Sequence, residues 1–120
     1  MISKETLESI YKFRDIRDWS KFHAPKDLSI AISIESAELL EHFLWSDRSS
    51  DEIKSDPIKL EAIHEEMADI FIYLIYLAKE LELDIDTIIV DKIKKNSIKY
   101  PVDKCKGSSK KYNDLISPEL

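Results

Sequence analysis

A single glycine, Gly107, serves all 120 residues of this chain. A β-sheet protein turns back every few residues and draws on glycine for the left-handed backbone of its tight turns, so a single glycine argues against a turn-rich β fold. A glycine-rich phosphate loop of the Walker or Rossmann kind is excluded for the same reason. What remains is an all-α chain, and the apolar spacing agrees. Four helical segments are predicted. The first runs from the N-cap Ser3 to about Phe22 and is closed off by Pro25. The second, DLSIAISIESAELLEHFLW, runs from near Asp27 to near Trp45. SDRSSDEIKSD is polar and reads as a loop. Asp56-Pro57, a capping acid before a proline at the first helical position, opens a third helix that continues to about Leu83. Asp84 caps a fourth, stopped at Tyr100 by Pro101. Short connections favour an antiparallel four-helix bundle over residues 1–101, with 102–120 as a polar, Lys- and Ser-rich tail.

Composition narrows the function. Hydrophobic residues make up 43% and charged residues 35%, a globular mixture, and the net charge of −6 disfavours a broad surface for polymeric nucleic acid. The lone cysteine, Cys105, cannot form an internal disulfide. No apolar stretch has the length of a membrane span, and MISKETLESIYKF lacks the apolar core of a signal peptide, so a soluble, cytoplasmic protein is expected. Ile70, Phe71, Ile72, Leu74 and Ile75 surround most of the third helix; such a helix is buried on all sides or meets a second subunit, and a homo-oligomer is expected.

The chemistry concentrates in two matching motifs. The second helix carries Glu35-Ser36-Ala37-Glu38 and the third carries Glu66-Met67-Ala68-Asp69. Each sets two carboxylates one turn apart on one face, where like charges repel. A divalent cation between them reverses the sign of that interaction, and hard oxygen ligands suit Mg²⁺, which commonly binds through substrate phosphates as well. Trp45 follows Glu38 by seven residues and Tyr73 follows Asp69 by four, so each acid pair has a ring beyond it on its face. Lys92, Asn96 and Lys99 form one stripe of the fourth helix, two ammonium groups for phosphate and an amide for a base or sugar edge. Together these are the parts of a nucleoside triphosphate site. Plainer readings stand beside it: acids on a solvated face, aromatic residues in a core, and a solvated lysine stripe. A carboxylate di-iron bundle needs two Glu-x-x-His motifs, and only Glu61 to His64 supplies one.

RDIRDWSKFHAPKDL, IESAELLEHFLW, EEMADIFIYLIYLA and KIKKNSIKYP occur in that order over about residues 5–101. This combination resembles the MazG-like all-α nucleotide pyrophosphohydrolases, above all their dCTP pyrophosphatase branch. The resemblance implies a helical bundle assembled as a dimer or tetramer, with Mg²⁺ held by Glu35, Glu38, Glu66 and Asp69. It implies cleavage between the α- and β-phosphates of a nucleoside triphosphate. Trp19, Trp45, Tyr73 and Asn96 match nucleotide-contacting positions, and Lys92, Lys99 and Tyr100 fall in the segment that closes over the phosphates, with part of the site supplied by a neighbouring subunit. Lys99 stands where arginine is usual and cannot make the same forked contact. Ile10 stands where the branch can have a histidine. On this reading water attacks the α-phosphorus in line, and Glu35 or Glu65 takes its proton. A cytosine deoxynucleotide is the first substrate expected. A broader house-cleaning activity on non-standard nucleotides and a non-enzymatic helical interaction module are the competing readings.

Overall fold

The computed structural model describes residues 2–109. Every regular element among them is helical: α1 (Lys4–Asp15), a 3₁₀ turn (Ser20–Phe22), α2 (Pro25–Glu41), α3 (Ser50–Lys54), α4 (Pro57–Glu80), α5 (Ile85–Lys99) and α6 (Val102–Cys105). The chain divides into two compact units at Leu83/Asp84.

In the first unit, α1 starts as predicted, with the Ser3 side chain accepting from the Thr6 amide at 3.1 Å. It ends at Asp15, seven residues short of Phe22, because Asp18 turns left-handed at φ 54° and sends the chain into the 3₁₀ turn. Aspartate is among the few side chains that tolerate that conformation. α2 begins at Pro25, which fills the first helical position where no amide is needed. It closes at Glu41, so Trp45 lies beyond the helix, in a turn, at φ 58°. The predicted loop contains α3, nucleated by the Ser49-Ser50-Asp51-Glu52 capping box, in which the Ser49 hydroxyl accepts from the Glu52 amide at 3.2 Å. Arg48 clasps the connection, donating to Asp56 Oδ2 at 3.1 Å and to the Glu52 carbonyl at 3.1 Å. Asp56 also accepts from the Lys59 amide and so caps α4, whose 24 residues span about 36 Å.

α2 packs along α4, and α3 packs against α4 as well. Leu28 of α2 and Ile63, Ile75, Tyr76 and Ala78 of α4 are buried. α1 is tied in by the Tyr76 hydroxyl, which donates to the Ile10 carbonyl at 2.7 Å. Arg14 is buried too, its guanidinium over the Tyr76 ring and its Nε donating to Asp15 Oδ1 at 2.8 Å. The all-round apolar surface of α4 is only partly covered: Ile75 is buried, whereas Phe71 and Leu74 are exposed.

In the second unit, Asp84 caps α5 by accepting from the Thr87 amide and hydroxyl at 2.9 and 2.6 Å. Pro101 closes α5 and caps the short α6, which ends at the free Cys105. Of the predicted tail, residues 110–120 lie outside the described residues. Among the described residues no helix is long and apolar enough to cross a membrane. Tyr76→Phe should keep the ring and lose the tie to Ile10; a loss of about 1 kcal/mol in urea unfolding is expected, without change in helix content.

Candidate active site

α2 and α4 carry the acids, and their packing decides which ones meet. Glu35, Glu38 and Glu66 are half-buried and converge, each offering a carboxylate oxygen within 4.8 Å of the other two. Oε2 of Glu35 and Oε2 of Glu66 are buried without a hydrogen-bond partner. Two ionised carboxylates can only accept, so neither can satisfy the other. A proton or a cation between them relieves this. Burial, hydrogen bonds to Glu66 and Glu38, and the negative charges of Asp69 and Glu38 push the Glu35 carboxyl up from its ordinary 4.5 to about 7. His42 stands at the edge, its Nε2 3.7 Å from Glu66 Oε1.

The other two predicted acids are placed differently. Asp69 is exposed and lies outside the three-carboxylate cluster, although its charge bears on Glu35. Glu65 is exposed and outside the cluster as well. Its side chain is rotated by about 100° from that of Glu66 around α4.

Beside the acids are two cavities, of about 360 and 270 Å³, whose walls share Trp19, His23 and Tyr73. Asp69 lines the larger one with Phe13, Ile72 and Tyr76. Trp19 reaches the cavities from the turn after α1, with its ring edge-on to Phe13 at 5.7 Å. Arg17 stacks on the other partner of that pair, 3.8 Å from the Phe13 centroid, and donates to the Phe13 carbonyl. The Tyr73 ring shares the wall of the larger cavity with Asp69, and its hydroxyl is pushed up by burial and by the charges of Glu35, Asp69 and Glu38. His23 is held below its ordinary value by burial and by Arg14, against an opposing pull from Glu80.

Trp45 does not share the face of Glu38. It is 95% exposed and lines neither cavity. Lys92, Asn96 and Lys99 lie on α5, and Tyr100 at its C-terminal cap, all in the second unit. The Lys99 ammonium lies 5.9 Å from the Tyr100 ring.

Sequence reasoning left out His42 and the α1 contribution to the cavity wall. His42 follows Glu38 by four residues, a spacing that carries it to the same side. Nothing in the spacing of Thr6, Ser9 and Phe13 singles them out.

The donor set fits a hard divalent cation: three carboxylates, two of them with a buried oxygen that lacks a partner.

Comparison with known proteins agrees with this geometry. The MazG-like family pattern matches residues 30–115, and the chain belongs to that family. It is 37% identical over 115 residues to dCTP pyrophosphatase 1 of Rattus norvegicus, covering 92% of this chain and 68% of the relative. It is 35% identical to dCTP pyrophosphatase 1 of Homo sapiens with the same coverage. Among solved structures it is similar to a pyrophosphatase from Archaeoglobus fulgidus, with a TM-score of 0.74 and 41% identity over 82% of this chain and 91% of that one.

The raised Glu35 value fixes the sign of a pH effect. The folded state holds this proton more tightly than the unfolded chain, so its stabilisation is complete below pH 4.5 and is lost as pH rises through about 7. Without divalent ions, thermal melting should show lower stability at pH 8 than at pH 6 from this site. Glu35→Gln should flatten that difference and raise the pH 8 midpoint by roughly 4 °C.

Proposed function

We propose that this protein hydrolyses a deoxynucleoside triphosphate, dCTP or a modified dCTP by preference, to the monophosphate and pyrophosphate in a Mg²⁺-dependent reaction. The chain is an enzyme, a nucleoside triphosphate diphosphatase, as its relatives indicate. The observation that carries the reading is the convergence of Glu35, Glu38 and Glu66 with two partnerless buried oxygens, next to cavities walled by Trp19 and Tyr73. A purely structural role leaves those oxygens unexplained, because buried polar atoms are costly without partners.

Glu35, Glu38 and Glu66 would hold the Mg²⁺, with Asp69 the fourth ligand by motif. Bound there, Mg²⁺ would supply Lewis-acid polarisation of the phosphoryl oxygens and offset the charge of the departing pyrophosphate. Trp19 and Tyr73 grip the base between aromatic faces. Of the two candidate proton acceptors, the exposed position of Glu65 favours Glu35, which takes the proton of the attacking water from inside the cluster. Lys92 and Lys99 meet the phosphates, and Asn96 and Tyr100 the nucleotide, by their match to the family motif.

Residues 1–101 form the catalytic bundle, with 102–120 as its tail, and the working form is a homo-oligomer, a dimer or tetramer. Exposed Phe71 and Leu74 on α4 support this, since a second copy would cover them. Trp45, almost wholly exposed in its own chain, fits a nucleotide contact made in a neighbouring copy.

The test is pyrophosphate release over a panel of nucleoside triphosphates, canonical and modified, with Mg²⁺ and with EDTA. Turnover should require Mg²⁺ and rank dCTP or 5-substituted dCTP first; a flat ranking over non-standard nucleotides would establish the house-cleaning activity instead. Glu38→Gln should lower turnover by roughly a hundredfold or more, since even residues one step behind a metal ligand cost up to that much. Trp19→Ala should raise KM roughly tenfold, the worth of one base stacked on an aromatic ring, with a smaller change in kcat.

A further inference from the structure

The smaller cavity contains a residue that the aromatic and metal-binding roles leave unused. Most of its wall is hydrocarbon or aromatic: Trp19, Phe22, Leu28, Ala31 and Tyr73. Asp27 is the one acid among the residues that line it. We infer that Asp27 reads the substrate base: its carboxylate accepts a hydrogen bond from an exocyclic amino group and so selects cytosine over uracil and thymine. This inference rests on the nucleotide reading above and adds to it the residue that chooses the base.

The placement follows from the helices. Asp27, Ala31, Glu35 and Glu38 are spaced four, four and three residues apart, so they run along one face of α2. Eight residues separate Asp27 from Glu35, about 12 Å along the helix axis. That span suits a nucleotide with its base edge at one end and its phosphates at the other. α4 runs through the same two points, since Tyr73 follows Glu66 by two turns and lines the cavity while its hydroxyl feels the acids. The chemistry is selective in one direction. An ionised carboxylate only accepts, so at the 4-position it pairs with the amine of cytosine and meets the O4 carbonyl of uracil or thymine lone pair to lone pair, leaving those bases only the neighbouring N3–H to offer. His23, which lines both cavities, is held below its ordinary value by burial, and an uncharged imidazole offers one donor and one acceptor, so it does not impose the same choice.

Asp27 has a plainer role available, as the acid in the first turn of α2, where negative charge favours the helix dipole. That role affects stability and leaves base preference untouched, which makes the two separable. kcat/KM is measured for dCTP, dUTP and dTTP with Mg²⁺ in the wild type, in Asp27→Asn, whose amide can turn to donate or accept, and in Asp27→Ser, which keeps a first-turn acceptor should the amide variant melt early. The wild type should prefer dCTP, and both variants should shrink the dCTP to dUTP ratio by about tenfold or more, mainly through KM for dCTP. An unchanged ratio in folded variants overturns the inference, as does a wild type that prefers dUTP or dTTP. A wild type that releases pyrophosphate from no triphosphate overturns the nucleotide reading itself.

Discussion

The structure turns on a repulsion. Glu35, Glu38 and Glu66 stand close enough for their negative charges to oppose one another at neutral pH. What holds them there is the packing of α2 along α4, sealed by Leu28 on one helix and Ile63 and Ile75 on the other. Apolar burial is non-directional, so it can drive two helices together without regard to the acids that come along. The cost shows in the titration of Glu35, which keeps a proton well above the usual carboxylate range. An arrangement that natural selection could have discarded with a single glutamine makes sense where cation binding converts the repulsion into attraction.

The aromatic side of the site is built on a different principle. Its pieces come from three places: the turn before α2, the third turn of α1, and the middle of α4. The Arg17 guanidinium lies 3.8 Å from the Phe13 ring centroid, and Phe13 meets Trp19 edge-on, so a cation and two rings stiffen one another where α1 gives way to the turn that follows it. Trp19 is thereby fixed by its neighbours, while Tyr73 is fixed by its helix. The indole and the phenol that line both cavities thus have independent supports.

Much of this was legible beforehand. The Asp56-Pro57 and Asp84 caps mark helix starts through side-chain chemistry that acts within three residues, and both hold in the structure. The acid motifs could be found because helical spacing alone puts Glu35 beside Glu38. Helix ends were harder. Asp18 and Trp45 end their segments by turning left-handed, a backbone choice that apolar periodicity does not encode, and the face shared by Trp45 and Glu38 vanished with it. The capping box at Ser49 was readable but was masked by the polar composition around it. Membership of the three-acid cluster also needed coordinates: helical phase puts Glu66 and Asp69 on one side of α4, but only the contact with α2 draws in Glu66 and leaves Asp69 at the cavity. Cavities are tertiary objects, and residues of α1 enter them only after folding.

The bond between Tyr76 and Ile10 has a consequence for size. Both residues line the larger cavity, and the phenol crosses there from α4 to the α1 backbone. A tyrosine side chain is a rigid strut whose reach is set by covalent geometry. The gap between the two helices at this point is therefore gauged by the length of one amino acid, and the breadth of what fits there is measured against it.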